Sequence, residues 1–302
     1  MLVSEKAMTE GQGFLLTDPR EGLAYQCAGA LRRLDRRIVA WLPHADAEKR
    51  VRHVAMQTMP RDWRERPLNA ELGVFTSVLL SMDSCLGTNA PPTEAELVEW
   101  ESFLQELASR MPQVHPLLAL PHSTPTAWVQ RLRAPLRKTT VFLVPALFGF
   151  RDSGLLDQAF ALLDEKPGAL GLSVSEAPLR LAFVGDVASL IILAPELERV
   201  HGRCVCVAGL QTSLEEFRQA FVRAFKPQSG ALEKLAARLS ADRLGSGCSL
   251  SSSQETTPSD AAAMEDLFPS PLSSLDRSLS QCAAARSRYP DHDLVFPPPR
   301  SV

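Results

Sequence analysis

A chain of 302 residues with 45% hydrophobic and 22% charged residues has the balance of a globular protein. Its formal net charge of −3 gives no bulk electrostatic reason to expect nucleic acid. That charge falls wholly on the residues from Gly245 onward, with seven acids and four bases, leaving 28 of each sign in residues 1–244.

The N-terminal half reads as helices. Asp18-Pro19 is a start signal, since Asp can cap free amides and Pro suits the first helical turn. Leu23, Cys27, Leu31, Leu34, Ile38 and Leu42 recur at three or four residues, which predicts one helix ending at Pro43. The basic cluster Arg32, Arg33, Arg36 and Arg37 reads as its solvated face. A second helix is predicted over Asp46–Met59, and a third over Ala70–Leu86, apolar nearly all round. Thr93-Glu94-Ala95-Glu96 is a capping box that opens a fourth, with Leu97, Trp100, Leu104, Leu107 and Met111 on one side.

Pro112, Pro116, Pro121 and Pro125 then read as an internal boundary. Beyond it, Thr139–Val144 and Leu179–Val184 are β-branched, apolar strands, and Arg203–Ala208 is another. Leu190–Leu193 is too short for periodicity to decide between strand and helix. Ser153 can cap a helix through Leu163. Ser213-Leu214-Glu215-Glu216 is a second capping box, opening a helix that Pro227 stops, and a last helix is predicted over Gly230–Leu239. From Gly245 the chain holds 13 Ser and 7 Pro in 58 residues, which predicts disorder.

The expected organisation is a flexible N-terminus (1–13), a helical region (14–111), a proline-rich connection (112–125), an α/β region (126–240) and a disordered tail (241–302). The fold class is α+β or α/β: a helical N-terminal half packed on a small mixed or parallel α/β layer.

No motif for catalysis, cofactor or metal stands out. The chain lacks the phosphate loop, G-x-G-x-x-G, G-x-S-x-G and H-E-x-x-H. Cys27, Cys85, Cys204, Cys206, Cys248 and Cys282 fit neither a paired metal-site spacing nor a disulfide framework, and favour a reducing compartment. His122-Ser123-Thr124-Pro125-Thr126 is similar to the phosphate-binding S-T-R-T element of the carbamoyltransferases. Pro125 replaces the arginine that grips phosphate, and the downstream substrate motif is missing, so no family is assigned.

Two function classes remain. In open α/β sheets ligands sit beyond the carboxyl ends of strands, which points to Asp152, Asp186 and Ser213 as an enzyme site. The favoured reading is instead a non-enzymatic adaptor or regulatory subunit that binds other proteins through its tail. Met264, Asp266, Leu267, Phe268 and Leu272 form an acidic, apolar island in a polar stretch, suited to folding in a partner's groove. Phe296 and Pro297 begin a polyproline-type segment suited to an aromatic groove. The start has no apolar signal run, and no stretch approaches the about 20 apolar residues of a spanning helix. An intracellular protein, cytoplasmic or nuclear, without cofactor, nucleic acid or membrane insertion is therefore expected.

Overall fold

The computed structural model describes residues 13–17, 19, 22–42, 57–60, 75–81, 83–86, 91–149, 179–225, 261–268 and 272–288. The predicted helices over Ser153–Leu163 and Gly230–Leu239, and the segment at Phe296 and Pro297, lie outside them.

Short apolar runs buried on both faces are the signature of parallel strands covered by helices on either side, and the chain builds its centre from such runs. They are β1 (Gly13–Thr17), β2 (Arg37–Leu42), β4 (Ser77–Ser81), β5 (His115–Pro121), β6 (Thr140–Val144) and β9 (Cys204–Cys206), with β3 (Gln57–Pro60) added beside β2. They pair in parallel in the order β9-β6-β5-β4-β1-β2-β3, and β11 (Ala261–Ala263) adds an eighth strand beside β9. A smaller sheet holds β7 (Ala146–Phe148), β8 (Leu179–Phe183) and β10 (Leu210–Thr212), with β8 parallel to β7 and antiparallel to β10.

Alternate residues of each central strand feed two cores. Phe14, Leu16, Ile38, Leu79, Leu117 and Phe142 face one layer, which includes α1 (Gly22–Arg33), α5 (Val184–Leu193) and α6 (Leu214–Phe225). Leu15, Trp41, Val78, Leu118, Val141 and Leu143 face the other, covered by α3 (Glu94–Arg110) and α4 (Thr126–Arg133). There the Trp41 and Phe103 rings lie 4.6 Å apart. The short α2 (Asp83–Leu86) follows β4 directly.

The α/β class holds, with the sheet parallel; the helical N-terminal half does not. That half supplies β1 to β4, half the strands of the main sheet. The predicted first helix stops after Arg33, because Asp35 takes a left-handed φ of 54°. Asp tolerates that conformation better than most residues. Ile38 and Leu42 keep helical spacing from Leu34 by coincidence, and both lie in β2, which runs from Arg37 to Leu42. The end of the second predicted helix lies in β3, and the third contains β4, whose residues are buried on both faces and so mimic a helix that is apolar all round.

The proline-rich boundary is likewise corrected. Residues 115–121 form β5, at the middle of the sheet, with Pro116 and Pro121 near its two ends and Leu117–Leu120 free of proline between them. The capping box at Thr93 forms as read, with the Thr93 hydroxyl accepting the Glu96 N–H and Glu96 accepting the Thr93 N–H. β6, β8 and β9 fall where strands were predicted, and Leu190–Leu193 completes α5.

The disordered-tail expectation fails over 261–268 and 272–288. Ala261–Ala263 joins the sheet, α7 (Met264–Leu267) and Phe268 enter the core, and α8 (Leu275–Arg288) packs on α6 with Leu279 and Cys282 buried. Enough apolar surface is covered there to offset ordering entropy, despite the polar composition between.

Candidate active site

The strand order reverses beside β1, whose neighbours are β2 and β4. This topological switch point is where open α/β sheets place ligands, beyond the carboxyl ends of the strands. Along the carboxyl edge of the sheet, the polar groups come from Thr17 at the end of β1 and Ser81 at the end of β4, and farther along from His122, Ser123 and Thr124 after β5 and Cys206 at the end of β9.

Thr17 ties the two strands at the reversal. Its hydroxyl donates to the Leu79 carbonyl at 3.3 Å and accepts the Ser81 N–H at 3.0 Å. His122 extends the β5–β6 pairing by donating its backbone N–H to the Val144 carbonyl. Its Nε2 lies 3.0 Å from the Leu143 carbonyl oxygen. A carbonyl only accepts, so that nitrogen carries the proton. Cys206 Sγ sits 3.7 Å from the same Nε2. A protonated nitrogen already donating elsewhere takes no proton from the thiol, so the pair is a structural contact rather than a nucleophile with its base.

Ser123 and Thr124 differ from their neighbours. The Thr124 N–H closes a tight turn onto the Pro121 carbonyl. Ser123 Oγ and Thr124 Oγ1 are both buried without a hydrogen-bond partner among the described residues, and Thr124 has no exposure at all. They lie just before α4, whose N-cap, Pro125, supplies no side-chain cap. A buried hydroxyl without a partner costs about 1–3 kcal/mol, so two together are where a ligand oxygen would recover energy.

The amino ends of the strands carry a second polar cluster. His115 Nε2 lies 2.8 Å from Thr140 Oγ1, and Thr140 donates its own proton to the Val200 carbonyl at 2.9 Å. His115 therefore donates through Nε2 and is neutral. Burial, with the nearby charges of His201 and Lys138 behind it, pushes its pKa down to about 3.

Of the residues expected at an enzyme site, the two described ones are engaged elsewhere than at the switch point. The Asp186 carboxylate, in the first turn of α5, accepts both the N–H and the hydroxyl of Ser273. Ser213 caps α6: its hydroxyl accepts the Glu216 N–H at 3.1 Å, and Glu216 accepts the Ser213 N–H at 2.8 Å. The backbone N–H of Ser213, then the hydroxyls of Ser213 and Thr212, hold the Glu216 carboxyl below its usual range. Asp152 lies outside the described residues. Sequence reasoning met Ser123 and Thr124 only as part of a phosphate-binding resemblance that Pro125 breaks, and the prolines around them read as a connection; the signal left unused was the apolar Leu117–Leu120 run ending in Pro-His-Ser-Thr.

The expected docking residues are placed against that role. Met264, Leu267 and Phe268 are 1%, 9% and 3% exposed, and Leu272 packs on the same core. The Phe268 ring lies 6.2 Å from that of Phe142 in the central strand β6. Asp266 alone of the island is exposed. Among the described residues no three His, Cys, Asp or Glu side chains group as metal ligands, and no helix is long and apolar enough to cross a membrane.

A nicotinamide dinucleotide, which related folds carry, is held by a glycine-rich first strand-to-helix turn and the helix amides after it. The turn here reads Thr17-Asp18-Pro19-Arg20-Glu21-Gly22, with one glycine, and the helix opening behind it is buried. These residues do not fit the group.

No protein-family model and no curated protein matches the chain. Solved structures do match in fold. The yeast methylglyoxal/isovaleraldehyde reductase Gre2, complexed with NADPH, superimposes with a TM-score of 0.59 at 13% identity over 92% of this chain and 99% of its own. The UDP-N-acetylglucosamine 4-epimerase of Bacillus cereus gives 0.61 at 10% identity over 92% and 100%. The dTDP-glucose 4,6-dehydratase of Bacillus anthracis, in complex with NAD, gives 0.60 at 8% identity over 92% and 97%. At these identities the likeness is one of fold, and it spans nearly the whole chain. It overturns the expectation of a non-enzymatic adaptor: the chain has the Rossmann-like α/β fold of reductases, epimerases and dehydratases, and residues 261–268 and 272–288 of the expected tail are part of that body.

Proposed function

We propose that the chain is an enzyme that acts on a small organic substrate at the carboxyl ends of β1, β4, β5 and β6, with Ser123 and Thr124 as its polar contacts. The observation that carries this reading is the pair of buried hydroxyls without partners among the described residues, beyond the carboxyl end of β5, which pairs with β4. Both are donors and acceptors, and they fit a substrate carbonyl or hydroxyl oxygen. The fold neighbours are named for such groups, on a small aldehyde and on nucleotide-linked sugars. The two hydroxyls would orient that oxygen and donate to it as negative charge develops, the kind of contact worth about a hundred- to a thousandfold in turnover. No step is assigned to a dinucleotide.

The test is thermal melting of the full chain with methylglyoxal, isovaleraldehyde, UDP-N-acetylglucosamine and dTDP-glucose, repeated on Ser123→Ala with Thr124→Val. Stabilisation of the wild type by one of the four, lost in the double variant, is the expected result. No stabilisation by any of them, or stabilisation that survives in the double variant, counts against the reading.

A further inference from the structure

We infer that the switch-point crevice of this chain does not hold a nicotinamide dinucleotide, although its fold is one that elsewhere carries NAD or NADPH. This goes beyond the proposed substrate site and stands independently of it.

Three observations converge. The first is the chemistry of the turn. A dinucleotide's pyrophosphate needs glycines after the first strand, for the tight turn, for close backbone approach and for helix packing. Between Thr17 and Gly22 this chain has Asp18, Pro19, Arg20 and Glu21. Pro19 offers no N–H, and the only charged residues of that sequence, two acids against one base, bring no excess of positive charge for a diphosphate.

The second is access. The pyrophosphate rests on the amides that open the helix. Gly22, with φ 62°, starts α1, but Gly22, Leu23 and Ala24 are buried and Tyr25 is 5% exposed. Little of the helix opening is exposed for a pyrophosphate to rest on.

The third is the clasp. Thr17 uses the Leu79 carbonyl and the Ser81 N–H, two backbone groups at the reversal between β1 and β4. The end of β2, where a carboxylate would meet the adenosine ribose, reads Trp41-Leu42-Pro43, with no acid before Asp46. Chemistry at Ser123 and Thr124 then proceeds without a hydride carrier seated on the β1–α1 turn.

The test is titration of the full chain with NADH and with NADPH, followed by reduced-nicotinamide fluorescence and by melting, in samples shown to unfold cooperatively. No saturable binding is expected up to about 1 mM, far weaker than a built site. ADP-ribose, which carries the same pyrophosphate, is expected to fail likewise. Saturable micromolar binding of any of the three would overturn the inference. Such binding would leave the Ser123 and Thr124 reading standing, since that is judged by the substrate panel and the double variant.

Discussion

The carboxylate of Asp186 accepts two hydrogen bonds from one residue 87 positions away, the backbone N–H of Ser273 at 2.6 Å and its hydroxyl at 3.0 Å. It thereby fixes the segment entering α8 to the first turn of α5. Hydrogen bonds to a charged acceptor contribute about 1.5–3 kcal/mol. Asp186→Ala is expected to lower stability by roughly that amount, with Asp186→Asn costing less because one carbonyl acceptor remains. Urea unfolding with unchanged slope measures it.

Leu267 and Phe268 were expected to serve a partner at no cost to the fold. Buried as they are, Phe268→Ala is expected to cost about 3–5 kcal/mol, the range for a fully packed aromatic. A shift in denaturation midpoint reads it directly; an unchanged midpoint would restore the idea of a free segment.

Thr124→Val should act in the opposite direction on stability and function. Removing a buried hydroxyl that has no partner is expected to raise stability by about 1 kcal/mol, because the polar group no longer needs solvation while the shape is kept. Calorimetry and ligand-induced melting on the same variant separate the two effects.

His115 predicts an acid limb. In the folded chain its pKa is about 3, while in the unfolded chain it is near its ordinary 6.5. The unfolded state therefore binds the extra proton, so stability is full above about pH 6.5 and falls as pH drops towards 3. His115→Phe is expected to flatten that limb relative to wild type, whatever it does to the plateau. Stability measured against pH for both chains checks the sign.

Legibility followed local chemistry. Both capping boxes, at Thr93 and Ser213, were readable because each is settled within four residues, and both form. β6 was readable because Pro145 ends a β-branched run. β2 and β4 were not. Strands buried on both faces lose the alternation that marks a half-exposed strand, and only their neighbours in the sheet distinguish them from helix. β5 was hidden by prolines that sit at the ends of a strand rather than inside it. Ser123 and Thr124 drew notice in the sequence only through a phosphate-binding resemblance that Pro125 breaks; what marks them in the fold is a missing partner, and partners are a property of the fold.

β11 gives the assembly of the molecule an order. Its three alanines cover the side of β9 that faces away from β6, and they lie 55 residues beyond Cys206 in the chain. During synthesis the strands up to β9 emerge first, and that edge of β9 gains its partner strand only once Ala261–Ala263 have followed. A truncated product ending before Ala261 would carry an open sheet edge and the vacated seat of Met264 and Phe268. Its characteristic failure would be edge-to-edge association, growing with protein concentration, rather than the quiet loss of a dispensable tail.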